Sequence, residues 1–370
     1  MLEFDPLDEY PIHQLPLPMR YVGTSDRHFY DRCIYQGVDH EADAFFITGL
    51  GVYPNLGVID AYATVRRGKR QWAVRVSGAR PDDRTSQQIG PYRIEVLEPF
   101  HRIRLVCDAD EHGVGFDLLY VSEYGPIAEP QHVVRQGDRI LLEAARFAGV
   151  GTWEGELRFG GETVEVTPQR YTATRDRSWG IRPVGEPEPP GRPRPFDGMY
   201  WCWVPLRFDD FALHLIVEEN RTGLRNTNLA IRVWPEATGR PVEQLGWPLP
   251  EVEYEPGTRR PVRASFTLTG RDGKPHTLEI QPLLGIPLNV GTGYGGDPDW
   301  LHGTWHGDLH VAGAVYDHDD PAVAGRAAFA FTDHVARATF DGHEGWGIFE
   351  HAVLGPHEPS GFTDWTDGAR

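Results

Sequence analysis

The chain has few of the residues that mark disulfide-rich, membrane-spanning or nucleic-acid-binding proteins. Its 370 residues include only three cysteines, Cys33, Cys107 and Cys202, whose odd number and wide spacing fit neither a disulfide framework nor a cysteine-based zinc site. No apolar run approaches the roughly 20 residues that a helix needs to cross a bilayer. Lysine and arginine (36) are outnumbered by aspartate and glutamate (54), and a net charge of −18 opposes binding to nucleic-acid phosphates.

The first residues are acidic and lack the apolar segment of a secretory signal. These absences together predict a cytoplasmic protein in a reducing compartment, with no membrane span and no nucleic acid as a partner. They leave open whether the chain is a monomer or a homo-oligomer.

What is abundant indicates an all-β protein. Hydrophobic residues make up 40% of the chain, and 42 glycines and 31 prolines are typical of many short strands joined by turns. Alternating runs of five to nine residues recur through both halves, for example at 45–53, 58–65 and 211–217. A chain of this length exceeds one ordinary core, so two β-barrel-like halves are predicted. Residues 138–147 alone show helical spacing, with strand and turn as the alternative.

The densest cluster of charged and aromatic residues lies at 171–183 (YTATRDRSWGIRP). Asp176 stands between Arg175 and Arg177, and guanidinium groups on both sides favour an ionised carboxylate. Trp179 adds an aromatic face that can stabilise a cation. Two interpretations stay open: a site in which Asp176 is a proton donor or acceptor beside substrate-binding arginines, or a structural ion-pair network at a strand end.

Three later strands carry further candidates. Trp201 and Trp203 share one face, because side chains alternate along a strand, and they form either the floor of a ligand pocket or part of a barrel core. His214 lies in an apolar strand, as a catalytic group or as a hydrogen-bonded core residue. Glu350 shares a face with apolar neighbours, where desolvation would raise its pKa and keep it protonated; the alternative is a solvent-facing glutamate.

The sequence predicts no cofactor and no metal. It contains no dinucleotide fingerprint, phosphate loop or nucleophile elbow. His302, His306, Asp308 and His310 share one parity, but their spacing along a strand separates side chains by roughly 7 and 14 Å, too far for all four to bind one ion. A polar, solvent-facing strand is therefore predicted. A metal site formed by two of these residues and a distant third ligand is the alternative.

The central motif and the two β-rich halves resemble the carotenoid 1,2-hydratase (hydroxyneurosporene synthase) superfamily, which includes AttH-like proteins. The resemblance implies two lipocalin-like antiparallel β-barrel or calyx domains, residues 1–170 and 171–370, with an apolar ligand inside or between them. The carotenoid hydratases read Asp-His-Asn-Trp-Gly at this motif, and their histidine and tryptophan are needed for activity. Trp179 matches that tryptophan, whereas Arg177 replaces the histidine, and arginine does not shuttle protons near neutral pH.

These observations predict a cofactor-independent enzyme that hydrates, dehydrates, isomerises or cyclises an apolar, unsaturated small molecule of terpenoid or polyketide type. Alkene protonation needs an acid in a dry pocket and an aromatic face for the resulting cation. Asp176, His214 and Glu350 are the candidate acids and bases, and the tryptophans named above provide the aromatic face. The alternative is a non-catalytic, lipocalin-like carrier of a hydrophobic ligand.

Overall fold

The chain folds into two antiparallel β-sheets. The computed structural model describes residues 9–10, 22–189, 191–192 and 196–370. Strand accounts for 56% and helix for 4% of the structure, and the sheets form a nearly closed barrel and a half-barrel. The prediction of an all-β, lipocalin-like fold with little helix is confirmed.

The first sheet contains fourteen strands within the described residues, and its main path runs in the order β21-β4-β3-β2-β1-β13-β11-β8-β7-β6-β5. The short strands β9, β10 and β12 pair with β11 beside this path. The strands are β1 (Phe29–Asp39), β2 (Phe45–Tyr53), β3 (Val58–Arg67), β4 (Arg70–Ala79), β5 (Gln88–Ile89), β6 (Tyr92–Glu98), β7 (Arg102–Cys107), β8 (Val114–Val121), β9 (Ile127–Ala128), β10 (His132–Gln136), β11 (Arg139–Phe159), β12 (Glu162–Val166), β13 (Tyr171–Ile181) and β21 (Leu309–Asp317).

The second sheet contains nine strands within the same described ranges, in the order β17-β16-β15-β14-β23-β22-β20-β19-β18. These strands are β14 (Met199–Phe208), β15 (Ala212–Glu219), β16 (Arg225–Val233), β17 (Glu243–Gln244), β18 (Leu249–Tyr254), β19 (Pro261–Thr269), β20 (Pro275–Pro287), β22 (Thr332–Phe340) and β23 (His343–Leu354).

The two sheets do not divide the chain at residues 170 and 171. Strand β13 pairs along its whole length with β1 and also with β11, so it belongs to the first sheet. The chain changes sheets between Ile181 and Met199. Strand β21, which comes late in the sequence, returns to the first sheet and pairs with β4. A division into residues 1–170 and 171–370 would therefore cut β13 away from both of its hydrogen-bonding neighbours.

Alternation along the strands produces three apolar layers. One face of β1 and β13 packs inside the first sheet, where Tyr35 and Ala173 join a large core. One face of β14 and β15 packs inside the second sheet, around Leu206 and Leu215. The opposite faces of both sheets meet each other through a third layer. Its members include Ile34, Val38, Ile47, Val150, Trp201, Trp203, Ile216 and Ile348.

The helix predicted at 138–147 is absent, and one short helix was missed. Asp138 lies in a turn and residues 139–147 begin the long strand β11, as the alternative of strand and turn predicted, because hydrogen bonds to β10 and β13 on its two sides outweigh a weak helical spacing. The sequence analysis missed the α-helix α1 (Pro321–Ala327), whose N-terminus is capped by Asp320. Gly160 and Gly161 form the two-residue turn between β11 and β12, and both adopt positive φ angles that favour glycine.

Candidate active site

A cavity of about 670 Å³ lies where the outer faces of the two sheets meet. This volume suits a small organic ligand. The first sheet contributes β1, β10, β11 and β13 to its wall, and the second contributes β14, β15 and β23. Four residues of the predicted site line it, namely Asp176, Trp201, Trp203 and Glu350.

Strand alternation separates the members of the central motif. Asp176 and Ser178 point from β13 into the cavity, whereas Arg175, Arg177 and Trp179 lie on the other face of the same strand. The prediction that Arg175 and Arg177 flank the Asp176 carboxylate was therefore wrong. Adjacent residues in a strand point in opposite directions, so neighbours in sequence cannot surround one another in space.

The two arginines instead form buried ion pairs inside the first sheet. Arg175 contacts Glu9 at 2.9 Å, and its guanidinium lies 4.9 Å from the ring centre of Tyr35. Arg177 contacts Asp31 at 2.9 Å. Both pairs are almost completely shielded from water. For Arg175 and Arg177 the structure therefore favours the interpretation of a structural ion-pair network.

Glu350 and Asp333 form a pair of carboxyl groups at the cavity wall. They lie opposite one another on the neighbouring strands β23 and β22. Glu350 lines the cavity, while Asp333 lies behind it and is fully buried. Burial raises the pKa of Asp333 well above its ordinary value, and the adjacent Glu350 raises it further. Burial also raises the pKa of Glu350, although hydrogen bonds from Asp333 and Trp201 oppose that rise.

Hydrogen bonds hold the carboxyl pair in place. The indole N–H of Trp201 donates to Glu350 Oε1, and the side-chain amide of Gln36 donates to Asp333 Oδ2 at 3.2 Å. The Gln36 amide oxygen in turn accepts a hydrogen bond from the Thr174 hydroxyl at 2.8 Å. Asp333 Oδ1 receives no hydrogen bond from any N–H or O–H group of the described residues. A proton held between the two carboxyl groups would supply the missing donor, in keeping with the raised pKa of both groups.

Asp176 is the third carboxyl group of the cavity. Its side chain is 16% exposed, and Arg146 Nη1 lies 3.9 Å from its Oδ2. Burial raises the pKa of Asp176 from 3.8 to about 6, although the charges of Arg146 and Arg32 oppose this rise. The guanidinium groups that act on Asp176 thus come from β11 and β1, not from its neighbours in sequence. A carboxyl group with a pKa near 6 can exchange a proton close to neutral pH.

His214 lies behind the cavity wall in a charged network centred on Glu129. The Glu129 carboxylate accepts hydrogen bonds from the Trp203 indole at 2.7 Å and from His214 Nε2 at 2.9 Å, and it forms a salt bridge with Arg146. Burial would raise the pKa of Glu129, but the charge of Arg146 and these hydrogen bonds lower it to about 2. His214 and Glu129 are fully buried, so His214 is placed to support Trp203 and not to contact a ligand.

The histidines near residue 306 do not form the predicted polar strand as a continuous unit. Strand β21 begins only at Leu309, after His302 and His306. The rings of His306 and His310 stack with each other, at 5.5 Å between centroids, and both stack on Trp300. Among the described residues, no group of three or more histidine, cysteine, aspartate or glutamate side chains is arranged to hold a metal ion.

The sequence analysis missed Asp333, Glu129, Arg146 and Arg32. Arg146 was missed because its segment was predicted as a helix, and Glu129 was missed because it directly follows β9, a strand of only two residues. Asp333 lies opposite Glu350 only through the register of β22 and β23, which the local sequence does not encode. No helix in the described part of the chain is long and apolar enough to cross a bilayer.

Comparisons with known proteins support the fold. A model described as "Family of unknown function (DUF8625)" matches residues 4–363, and no curated protein matches the chain. An AttH-like protein from Nitrosomonas europaea is 14% identical, with a TM-score of 0.53 over 93% of this chain and 97% of that chain. Kievitone hydratase from Nectria haematococca is 13% identical, with a TM-score of 0.49 over 90% and 92% of the two chains. The resemblance to AttH-like proteins is thus confirmed for the fold.

Proposed function

Given that the chain belongs to the family of unknown function DUF8625, we propose from its cavity that it is a cofactor-independent enzyme of hydratase, isomerase or cyclase type. The observation that carries this proposal is the buried pair of Glu350 and Asp333, which retains a proton beside a cavity of ligand size. Such a pair is the kind of acid that protonation of a carbon–carbon double bond requires.

In the proposed reaction, Glu350 donates a proton to one carbon of an unsaturated ligand. The new C–H bond uses the electron pair of the double bond and leaves a cation at the other carbon. Trp201, which lines the same cavity, provides an aromatic face for that cation. Water then adds to the cation and loses a proton to Asp176, or an internal double bond attacks the cation, closes a ring and the resulting ring cation loses a proton to the same carboxylate. Transfer of that proton back to Glu350 restores the acid pair. No electrons enter or leave, so no redox partner is needed.

Asp176 is proposed as the second acid–base group. Its pKa of about 6 makes it mostly ionised at neutral pH, so it can accept the proton that water releases. Trp203 and His214 act through Glu129 and are assigned a positioning role. Arg175, Arg177 and Trp179 lie on the far face of β13 and are not included in the reacting group.

Incubation with a panel of terpenes, unsaturated fatty acids and linear polyketides in D₂O tests the proposal. A product that carries deuterium on carbon is expected, detected by mass spectrometry. Glu350→Gln should reduce its formation by a factor of about 10² or more, the usual contribution of a general acid. Glu344→Gln, an exposed change in the same strand, is the matched control and should leave the rate unaltered.

Asp333→Asn provides a readout that a purely structural role would not give. In the wild type the pair retains its last proton to high pH, because the negative charge of the carboxylate already ionised opposes loss of the second proton. Without Asp333 the alkaline limb of the pH–rate profile should move to lower pH. Recovery of every panel compound unchanged, together with tight binding of one of them, would instead identify a carrier of a hydrophobic ligand.

A further inference from the structure

Arg32 is a buried cation that forms no salt bridge with any described residue. It points from β1 into the cavity and is only 4% exposed. Its guanidinium lies 5.2 Å from the ring centre of Tyr30 and 4.7 Å from that of Tyr294. Within the described residues it forms no salt bridge, and its Nη2 makes no hydrogen bond. Two other buried arginines, Arg175 and Arg177, each contact a carboxylate, whereas the buried Arg75 packs on Trp300 and donates a hydrogen bond to the Tyr316 hydroxyl.

Arg182 places a second cation in the same corner of the cavity. Its guanidinium lies 5.5 Å from the ring centre of Tyr294, so both arginines pack on one tyrosine. Arg182 also forms no salt bridge with any residue that the structure describes. Burial lowers its pKa, and repulsion from Arg32 lowers it further. The charge of Arg32 lowers the pKa of Asp176, but these two residues form no salt bridge.

A buried and a partly buried guanidinium group that repel each other, with no salt bridge to any described residue, are costly for a folded protein, because both have lost water. Arginine stays protonated in proteins, so the free-energy cost is not removed by loss of a proton. The aromatic rings of Tyr30 and Tyr294 offset only part of it. The arrangement is therefore typical of an anion-binding site, because two guanidinium groups can bind an anion through paired charge-assisted hydrogen bonds.

We infer that Arg32 and Arg182 bind an oxyanion of the ligand, a carboxylate or a phosphate, beside the ring of Tyr294. This inference rests on the proposed function, because it names the head group of the same substrate. The remainder of the ligand meets an apolar wall, so the substrate class is an unsaturated amphiphile with one anionic end. The apolar side chains of that wall include Ile34, Val134, Leu141, Leu142, Leu288 and Phe331.

The anion site and the acid pair belong to one cavity. Glu350 and Arg182 both line it, and the charge of Arg182 acts on Glu350 by lowering its pKa. An anion held at Arg32 and Arg182 therefore fixes one end of the substrate in the cavity that contains the acid. Orientation of this kind is what turns a protonated carboxyl group into an effective catalyst.

Isothermal titration calorimetry with three probes of equal chain length tests the inference: octanoate, octyl phosphate and octan-1-ol. Wild-type protein should bind at least one of the anions at least tenfold more tightly than the alcohol. The tighter of the two anions identifies the head group. Arg32→Gln and Arg182→Gln should each weaken that anion at least tenfold, whereas Arg32→Lys should retain part of the preference because it keeps the charge. Arg271→Gln, an exposed change in the second half, is the control.

The variants are expected to remain folded. Arg32→Gln removes an unpaired buried charge, so its melting temperature should equal or exceed that of the wild type. Equal binding of all three probes by the wild type, or undiminished anion binding by a folded Arg32→Gln variant, would overturn the inference. Its failure is distinguishable from that of the proposed enzyme, because anion binding is measured without turnover and Glu350→Gln should retain it.

Discussion

Replacement of Glu129 by glutamine should destabilise the protein by about 3 kcal/mol at pH 7. The fully buried Glu129 carboxylate contacts Arg146, His214 and Trp203. Burial opposes its ionisation, but the charge of Arg146 and the hydrogen bonds prevail and lower its pKa from 4.5 to about 2. A shift of this size corresponds to about 3 kcal/mol, at about 1.4 kcal/mol for each pKa unit. Loss of one partner from a buried ion pair costs a similar amount, about 3 to 5 kcal/mol.

The pH dependence of this effect has a defined sign. The pKa of Glu129 is lower in the folded state, so its carboxylate stabilises the fold fully above pH 4.5 and progressively less as the pH falls towards 2. The difference between wild type and Glu129→Gln should therefore shrink to about 2 kcal/mol at pH 3.5. It should continue to shrink below that pH.

Urea unfolding followed by tryptophan fluorescence at pH 7 and pH 3.5 measures both values. Glu154→Gln is the matched control, because Glu154 is exposed on β11, the strand that carries Arg146. This control should change stability by less than about 0.5 kcal/mol. A Glu129→Gln variant as stable as the wild type at pH 7, or a difference that grows on acidification, would refute the assignment of Glu129 as the ionised centre of the network.

Two further predictions follow from the burial of titratable groups. The pKa of Asp176 is raised from 3.8 to about 6, so folding disfavours its ionised form and the wild type loses stability as the pH rises between these values. Asp176→Asn should therefore be more stable than the wild type by up to about 3 kcal/mol at pH 8, with no gain at pH 3. Denaturant unfolding at both pH values measures this difference, and a variant less stable than the wild type at pH 8 would contradict the prediction. Cys33, Cys107 and Cys202 are all buried, and burial raises the pKa of each thiol. A thiol-specific chromophoric reagent should therefore label none of them in the native protein and all three in urea, and rapid native labelling would contradict this packing.

Much of the fold could be predicted from local patterns. Alternation of apolar and polar residues between glycine-rich turns identified strands such as β2, β3 and β15, because side-chain direction in a strand depends only on parity. Parity also correctly placed Trp201 and Trp203 on one face, and Glu350 on the face that lines the cavity. The helix predicted at 138–147 was wrong because hydrogen bonding to neighbouring strands, which the local sequence does not encode, decided its conformation.

The site could be predicted only in part. Asp176 and Glu350 were identified from the chemistry of their neighbours in sequence, but the partners that set their protonation were not. Asp176 responds to Arg146, which lies on a different strand of the same sheet, and Glu350 responds to Asp333 across a strand pair. Arg175 and Arg177, adjacent to Asp176 in the chain, contact other carboxylates on the opposite face.

The sequence by itself therefore determined the all-β class, the two-sheet architecture and which side chains share a face. Tertiary structure alone decided which faces meet, because strands distant in the chain form the wall of one cavity. That meeting buries Glu350 with Asp333, and it brings Arg32 and Arg182 together on the ring of Tyr294, where neither forms a salt bridge with a described residue. Electrostatic interactions between buried groups depend on distance through space and on exclusion of water. Neither quantity can be read from separation along the chain.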